Sequence, residues 1–276
     1  MFEKLRCFFS ARLRFRDYEP QPVTFGTVGR WVEQFNKTER KNLPLLLKNI
    51  KYVTEAETKN ILCELNSNLV ARLKQDGIPP HRIIYVQVDD AGSSSPFMLG
   101  ILKNAARLER QGCKFVDSRD VRGLHDITDK LEEGAIVYVD DFSGTGVQFC
   151  KSRDFAVEYT VGNFAEFFLV PYICEEAVEK LRERGVEPVT AGIHKIQDRM
   201  LRAEASIVPD DVKKQLTGFC SKVDRKYGLG YRNLGSMIVF YRNAPNGVPL
   251  VIRGSQNQTP YVGILPRTTD LPPLMG

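Results

Sequence analysis

Residues 135–149 read AIVYVDDFSGTGVQF. Apolar and aromatic residues lead into two adjacent carboxylates, Asp140 and Asp141, and then into Ser143, Gly144, Thr145 and Gly146. Glycines let backbone approach a ligand closely, and N–H groups at the start of a helix, with its dipole behind them, bind anions. Ser143 and Thr145 add hydroxyl donors, so the loop suits a phosphate. The two carboxylates repel a phosphate unless they accept hydrogen bonds from hydroxyls or share a Mg2+ with it. A sugar phosphate with a free vicinal diol meets both conditions, its phosphate in the loop and its diol against the acids.

Rival chemistries fit these residues less well. A P-loop needs a lysine after its last glycine, and none follows Gly146. A dinucleotide fingerprint needs a third glycine where Phe149 stands. Strand-end acids of this kind also hold metal in nucleotide triphosphatases, but no P-loop precedes them here. The plain structural alternative is a strand-end loop in which Asp141 or Ser143 caps a helix.

The elements around this loop follow from periodicity. Residues 24–75 carry helical stripes: Val28, Trp31, Val32 and Phe35; Leu43, Leu46, Leu47 and Ile50; and Ile61, Leu62, Leu65, Leu69 and Leu73. Thr54 with Glu57 has capping-box spacing, and Gly77 and Pro79 close the last helix. From residue 82 the pattern changes to short apolar runs, RIIYVQV, CKFV, AIVYV, FFLVPYI and VEPVTAGI. These read as strands buried on both faces. Helical segments at 97–112, 146–159 and 175–184 separate them, and residues 117–130 read as a polar loop. This alternation predicts an α/β fold, a mostly parallel sheet flanked by helices, with an N-terminal helical region. The expected division is a helical region over 1–78 and an α/β domain with a C-terminal extension over 79–276, either as two parts or as one compact unit. Further on, 209–225 reads as a helix, 228–235 as a glycine-rich loop, SMIVFYR and LVIRG as strands, and the last twenty residues as a mobile tail.

Composition sets wider bounds. The 276 residues are 42% hydrophobic and 26% charged, as in ordinary globular chains. No apolar run approaches the roughly 20 residues of a membrane span. The N-terminal stretch lacks the long apolar segment and small-residue cleavage site of a secretory signal. Six scattered cysteines form no CxxC pair, which suits buried thiols in a reducing cytoplasm. The net charge is +5, and Lys4, Arg6, Arg12, Arg14 and Arg16 concentrate part of it. That run is either a contact for nucleic acid or an acidic partner, or a solvated face.

VYVDDFSGTG resembles the PRPP-binding motif of type I phosphoribosyltransferases, and VQVDDAGSSSP (86–96) stands where those enzymes carry their pyrophosphate loop. More widely, the WVEQF start, the DDFSGTG motif and the ending GYRNLGSMIVFYRNAPNGVPLVIRG resemble the phosphoribosyltransferase-like proteins of bacterial conflict and antiviral systems, including some retron-linked effectors. The resemblance implies a type I phosphoribosyltransferase-like fold. It implies that Asp140 and Asp141 hold the ribose hydroxyls and help place Mg2+ through water. Ser143, Gly144, Thr145 and Gly146 would cradle the 5-phosphate, and Gly92, Ser93 and Ser94 the pyrophosphate, with Asp89 and Asp90 either aiding a second Mg2+ or capping the loop. Residues 117–130 take the place of the mobile catalytic loop, so Arg119 and Arg122 would reach pyrophosphate and His125 would serve as acid or base. Gln148 departs from the small hydroxyl residue of many relatives, and no base-binding hood is recognisable. His81 and His194 flank strands and suit structural roles.

The leading expectation is an effector that binds PRPP or a related ribose phosphate with Mg2+. The alternatives are a non-catalytic nucleotide sensor that regulates a partner, such as a reverse transcriptase or ATPase of a defence system, and a nucleic-acid-binding module using the basic N-terminal arm.

Overall fold

The computed structural model describes residues 2–88, 94–117, 119–255 and 261–271. They form two compact units, one of residues 1–55 with 195–276 and one of residues 56–194.

In the first unit, helix α1 (Phe2–Arg14) is followed by α2 (Phe25–Glu33), α3 (Lys37–Arg40), α4 (Leu43–Lys48) and strand β1 (Lys51–Val53). Thr24 caps α2 in a reciprocal pair with Thr27. Trp31 is fully buried and donates its indole N–H to the carbonyl of Val251 at 2.8 Å. Arg14 turns inward, its guanidinium donating to the carbonyls of Leu47 and Ile50. It thereby satisfies carbonyls at and just past the end of α4.

The second unit is built on α5 (Glu55–Gln75), β2 (Ile83–Gln87), α6 (Ser94–Ala105), β3 (Lys114–Asp117), α7 (Val121–Leu131), β4 (Glu133–Val139), β5 (Phe142–Ser143), α8 (Val147–Val157), β6 (Asn163–Leu169), β7 (Tyr172–Cys174), α9 (Glu175–Arg182), β8 (Glu187–Val189) and β9 (Gly192–His194). Five strands form a parallel sheet in the order β3-β2-β4-β6-β8. Alternate residues of each strand serve opposite faces. Ile84, Val86, Ile136, Tyr138 and Phe168 pack with Leu124, Phe149, Cys150, Ala177, Val178 and Leu181 of α7, α8 and α9. Ile83, Tyr85, Ala135, Val137, Val139, Phe167 and Leu169 pack on the other face with Leu62, Leu69, Leu73, Met98 and Leu102 of α5 and α6. This is the expected α/β architecture.

Each of the last three core strands continues, after a two-residue break, into a second parallel sheet of order β5-β7-β9. The breaks are Asp140-Asp141, Val170-Pro171 and Thr190-Ala191, and they lie in register with one another. FFLVPYI and VEPVTAGI, expected as one strand each, are therefore two strands apiece in different sheets. Pro171 has no N–H to continue the ladder, and its carbonyl instead accepts from Ala191.

After the second unit the chain returns to the first through α10 (Asp210–Val223), β10 (Ile238–Phe240), α11 (Leu250–Arg253), β11 (Gly254–Ser255) and β12 (Tyr261–Val262). Strand β1 pairs in parallel with β10, and Phe35 packs on Phe219 at 4.3 Å and on Tyr261 at 6.1 Å. The N-terminal helices thus share a unit with the C-terminal segment, whereas α5 belongs with the parallel sheet; the 78/79 division expected from periodicity cuts across both. Three local readings change as well. Residues 117–130 contain helix α7, capped by Asp120, whose side chain accepts from the Gly123 N–H at 2.9 Å. Leu250–Arg253 is helical, not a strand, because Pro249 opens a helical turn and Gly254, at φ +85°, ends it. Within the expected mobile tail, Tyr261, Ile264 and Leu265 are buried. Among the described residues no helix is long and apolar enough to cross a membrane, and all six cysteines are free thiols, five of them buried.

Phe149 holds α8 to the sheet, stacked on Phe168 at 4.2 Å and edge-on to Tyr138 at 5.3 Å. Phe149→Ala is expected to cost about 3–5 kcal/mol, read as a lower midpoint in chemical denaturation without a change in slope.

Candidate functional site

Strand order places the site before any ligand is considered. In chain order the five strands run 2-1-3-4-5 across the sheet, with β2 first. From β2 the chain goes to β3 on one side, then crosses back to β4 on the other. The connection through α6 packs on one face and the connection through α7 on the opposite face. The reversal falls between β2 and β4. At such a switch point the connecting loops diverge and leave a crevice beyond the carboxyl ends of the strands.

Two adjacent serines organise this position. Ser95 is fully buried. Its hydroxyl accepts from the N–H of Val88, just past β2, at 2.9 Å, and donates to the carbonyl of Val139, the last residue of β4, at 2.6 Å. It closes a gap that ladder hydrogen bonds no longer bridge. Ser94 donates to Asp140 Oδ1 at 2.6 Å, and the same oxygen accepts from the Asp141 N–H at 2.8 Å. The Asp140 N–H continues the β4–β6 ladder to Leu169. The start of α6, the acid pair and the loop after it thus meet in one place, with Ser94, expected at a pyrophosphate, bonded to Asp140. Ser95 was not singled out in the sequence, where it reads as one more polar residue at a helix start.

Both acids are half-buried. Burial pushes the Asp141 carboxyl above its ordinary value, and the neighbouring Ser94 and Asp140 side chains and the Phe142 N–H work in the opposite direction. Beyond the pair, Ser143 is buried in β5, paired with Ile173 of β7. Gly144 and Thr145 are half-buried in the turn. Gly146 precedes α8 with φ +68°, and a Cβ there would lie 3.1 Å from Cα of Ala177 on α9. Backbone conformation and crowding both require glycine at this position. The first N–H groups of α8 follow directly, where an anion is best received.

The remaining expected residues divide. Gly92 and Ser93, with Asp89 and Asp90, lie outside the described residues. Arg119 donates through Nε and Nη2 to both carboxylate oxygens of Asp117, at 3.1 and 3.0 Å. Gln87 donates to Asp117 as well. This group stands at the ends of β2 and β3, and the Arg119 guanidinium lowers the Asp117 pKa. Arg122 is exposed on the first turn of α7, and His125, further along the helix, lies 3.8 Å from the Asp126 carboxylate. The segment expected as a catalytic loop therefore carries these two residues on a helix.

Among the described residues no group of three or more His, Cys, Asp and Glu side chains is placed to hold a metal ion. Asp140 and Asp141 offer two carboxylates. That donor set fits Mg2+, which takes one or two carboxylates and completes its shell with water and ligand phosphate oxygens.

A doubly wound sheet with an acid pair and a glycine turn at its switch point has the layout of a phosphoribosyltransferase-like protein. The sequence profile of one such family, PRTase-CE, matches residues 28–267, and the chain belongs to that family of phosphoribosyltransferase-like proteins of conflict systems. The match runs through both compact units. No curated protein matches the sequence. Among solved structures the chain is similar to an orotate phosphoribosyltransferase from Aeropyrum pernix, with 19% identity, a TM-score of 0.34, and 50% of this chain and 70% of that one covered. It is similar also to an HGPRT-ase from Leishmania tarentolae in complex with GMP, with 15% identity, TM-score 0.34, and 52% and 80% covered. A third is a hypothetical protein from Neisseria gonorrhoeae with bound ppGpp, with 12% identity, TM-score 0.34, and 60% and 96% covered.

The raised Asp141 pKa has a definite sign. The folded state binds this proton more tightly than the unfolded chain, so stability falls as pH rises through the window between the unfolded carboxylate value and the raised one. Asp141→Asn is expected to melt at a higher temperature than the native protein at pH 7. The difference should shrink as pH drops and the native carboxyl becomes neutral, which thermal melts across acid pH will show. Ser95→Ala leaves the buried Val88 N–H without its acceptor and is expected to cost about 1–3 kcal/mol, read by denaturant titration.

Proposed function

We propose that residues 140–147 bind the ribose 5-phosphate part of PRPP, or of a related ribose phosphate, with Mg2+, and that the protein acts as an effector in bacterial antiviral defence. The observation that carries this reading is the Ser94–Asp140 hydrogen bond at the switch point, which brings the start of α6, the acid pair and the glycine turn together. In this reading Asp140 and Asp141 accept the ribose hydroxyls. Gly144, Thr145, Gly146 and the first turn of α8 donate to the 5-phosphate, with Ser143 supporting the turn from β5. Gly92, Ser93 and Ser94 face the pyrophosphate. Mg2+, held through water by Asp140 and Asp141 and by the ligand's own oxygens, would neutralise charge on the leaving group.

The chemistry would be attack by a nucleophile at the anomeric carbon, with the C–O bond to pyrophosphate breaking and its electrons leaving on oxygen. Positive charge grows on the sugar, close to the two carboxylates, and negative charge on the pyrophosphate, where Arg119 and Arg122 would meet it. The free, mostly buried thiols support a reducing cytoplasm as its location.

A second reading, a nucleotide sensor that controls a partner such as a reverse transcriptase or ATPase, is favoured by one observation. The segment expected to close over the site is a capped helix, with the arginine just before it engaged by Asp117. For the nucleic-acid reading, Arg14 is spent on backbone carbonyls and Lys4 on Glu33, which leaves Arg6, Arg12 and Arg16 exposed.

Calorimetry with PRPP and Mg2+ is expected to show saturable binding, weakened at least tenfold by Asp140→Asn/Asp141→Asn and by Gly146→Ala. Loss of one hydrogen bond to a charged group is worth about 1.5–3 kcal/mol, and each 1.4 kcal/mol is tenfold. Binding that ignores these substitutions defeats the proposal. Pyrophosphate release across bases, nucleosides and tRNA supports transfer; binding without release supports the sensor.

A further inference from the structure

Helix α1 turns one face into its unit, where Cys7 and Ala11 are fully buried. Its opposite face carries four large apolar residues in solvent: Phe2 is 69% exposed, Leu5 39%, Phe9 61% and Leu13 78%. At about 100° per residue they fall within roughly 80° of arc. They make a single seam at spacings of three and four residues. Phe25, also exposed, extends the patch beside Phe8. Isolated exposed leucines need no explanation, but an aligned seam of this kind marks an interaction surface.

The charges around the seam say what would cover it. Arg6 and Arg12 are exposed and fall on its two shoulders, and Arg16 is exposed just beyond the helix. The other basic residues of the stretch point away from the seam, Lys4 in a surface pair with Glu33 and Arg14 inward to the carbonyls of Leu47 and Ile50. The outward charge is therefore guanidinium on both sides of the seam, and Glu3 is the helix's only acid. A second copy of α1 would set arginine against arginine, which disfavours self-pairing. A narrow seam with charged shoulders is the geometry of helix-to-helix packing, in which flanking charges choose the partner. A helix lying in a bilayer sinks a broader apolar face.

We infer that the Phe2–Leu5–Phe9–Leu13 face of α1 docks an amphipathic helix of a partner protein whose apolar seam is flanked by Asp and Glu. The apolar side chains interdigitate, and carboxylates on the partner pair with Arg6 and Arg12, which can receive them bidentately. Arg12 keeps its bond to the Val23 carbonyl, at 3.2 Å, through one nitrogen and has others free for a carboxylate. This inference is independent of what the switch-point site binds.

The test uses the full chain and two designed helical peptides that share one leucine seam, the first flanked by glutamates and the second by lysines. Fluorescence anisotropy is expected to show at least tenfold tighter binding of the glutamate-flanked peptide. Phe9→Ser/Leu13→Ser should weaken it about tenfold or more, and Arg6→Glu should erase the preference. Because these side chains are exposed, the variants are expected to keep the native melting temperature; Leu5→Ser gives a second probe of the seam. Equal affinity for the two peptides overturns the proposal, as does binding indifferent to Phe9→Ser/Leu13→Ser. Tighter binding to phosphatidylserine vesicles than to either peptide overturns it in favour of a membrane surface. Dimerisation abolished by Phe9→Ser overturns it in favour of a second copy.

Discussion

The burial of β4 on both faces is the constraint on which the site depends. Ile136 and Tyr138 pack against α8 and its neighbours, while Ala135, Val137 and Val139 pack toward α5 and α6. The enclosed part of the strand, from Ala135 to Val139, admits no charge, since an unpaired charge in that environment would be prohibitively costly, and its one acid, Glu133, stands at the exposed opposite end. Charge becomes tolerable only where the strand leaves the sheet. Hydrogen bonds to β2 and β6 fix that place opposite the end of β2, and Ser95 ties the two ends together once the ladder stops. The acid pair therefore stands at a position set by packing far from it. It also occupies the break between two sheets, where backbone donors not used by a regular ladder help offset the cost of partial burial. A carboxyl held above its ordinary pKa is a local loss of stability, of the kind proteins retain where a ligand must be met.

Much of the second unit was legible because strands buried on both faces read as unbroken apolar runs. RIIYVQV and AIVYV correspond to β2 and β4 with little ambiguity. The same property hid the second sheet: FFLVPYI is apolar throughout because burial continues across the break, and only Pro171 marked it. Helix α7 was concealed by its charges. Its inward residues, Leu124, Ile127 and Leu131, keep helical spacing, and Asp120 with Gly123 gives the start, but the acidic and basic residues between them look like a loop. The pairing of β1 with β10 has no local signature at all, since it joins segments that flank the entire second unit. That is why the N-terminal helices could be recognised in the sequence while the unit they belong to could not.

At the site, the sequence revealed residue types better than roles. Gly146 stands where backbone conformation requires glycine, Asp140 and Asp141 lie together just past the end of β4, and Ser94 reaches Asp140. Ser143, expected as a phosphate donor, is a strand residue with its side chain buried. Ser95 went unnoticed because its two hydrogen bonds join backbone at the ends of two strands, a relation fixed by tertiary structure alone. The serine beside it drew attention through resemblance; nothing in the local sequence separates their functions.

The engagement of Arg119 by Asp117 bears on the proposed chemistry through its strength. Both side chains are substantially exposed, at 51% and 31%, and such a pair contributes between zero and about 1 kcal/mol. A hydrogen bond from guanidinium to a charged phosphate is worth about 1.5–3 kcal/mol. Asp117 would keep its bond from Gln87 if the arginine left. The exchange is therefore favourable for a pyrophosphate brought within reach, and the resting pair holds Arg119 in place without locking it. Helix α7 is different in kind, since Leu124 and Thr128 are fully buried and its cap is satisfied. Movement over the site would thus come from the arginine side chains, with the helix itself remaining on the sheet.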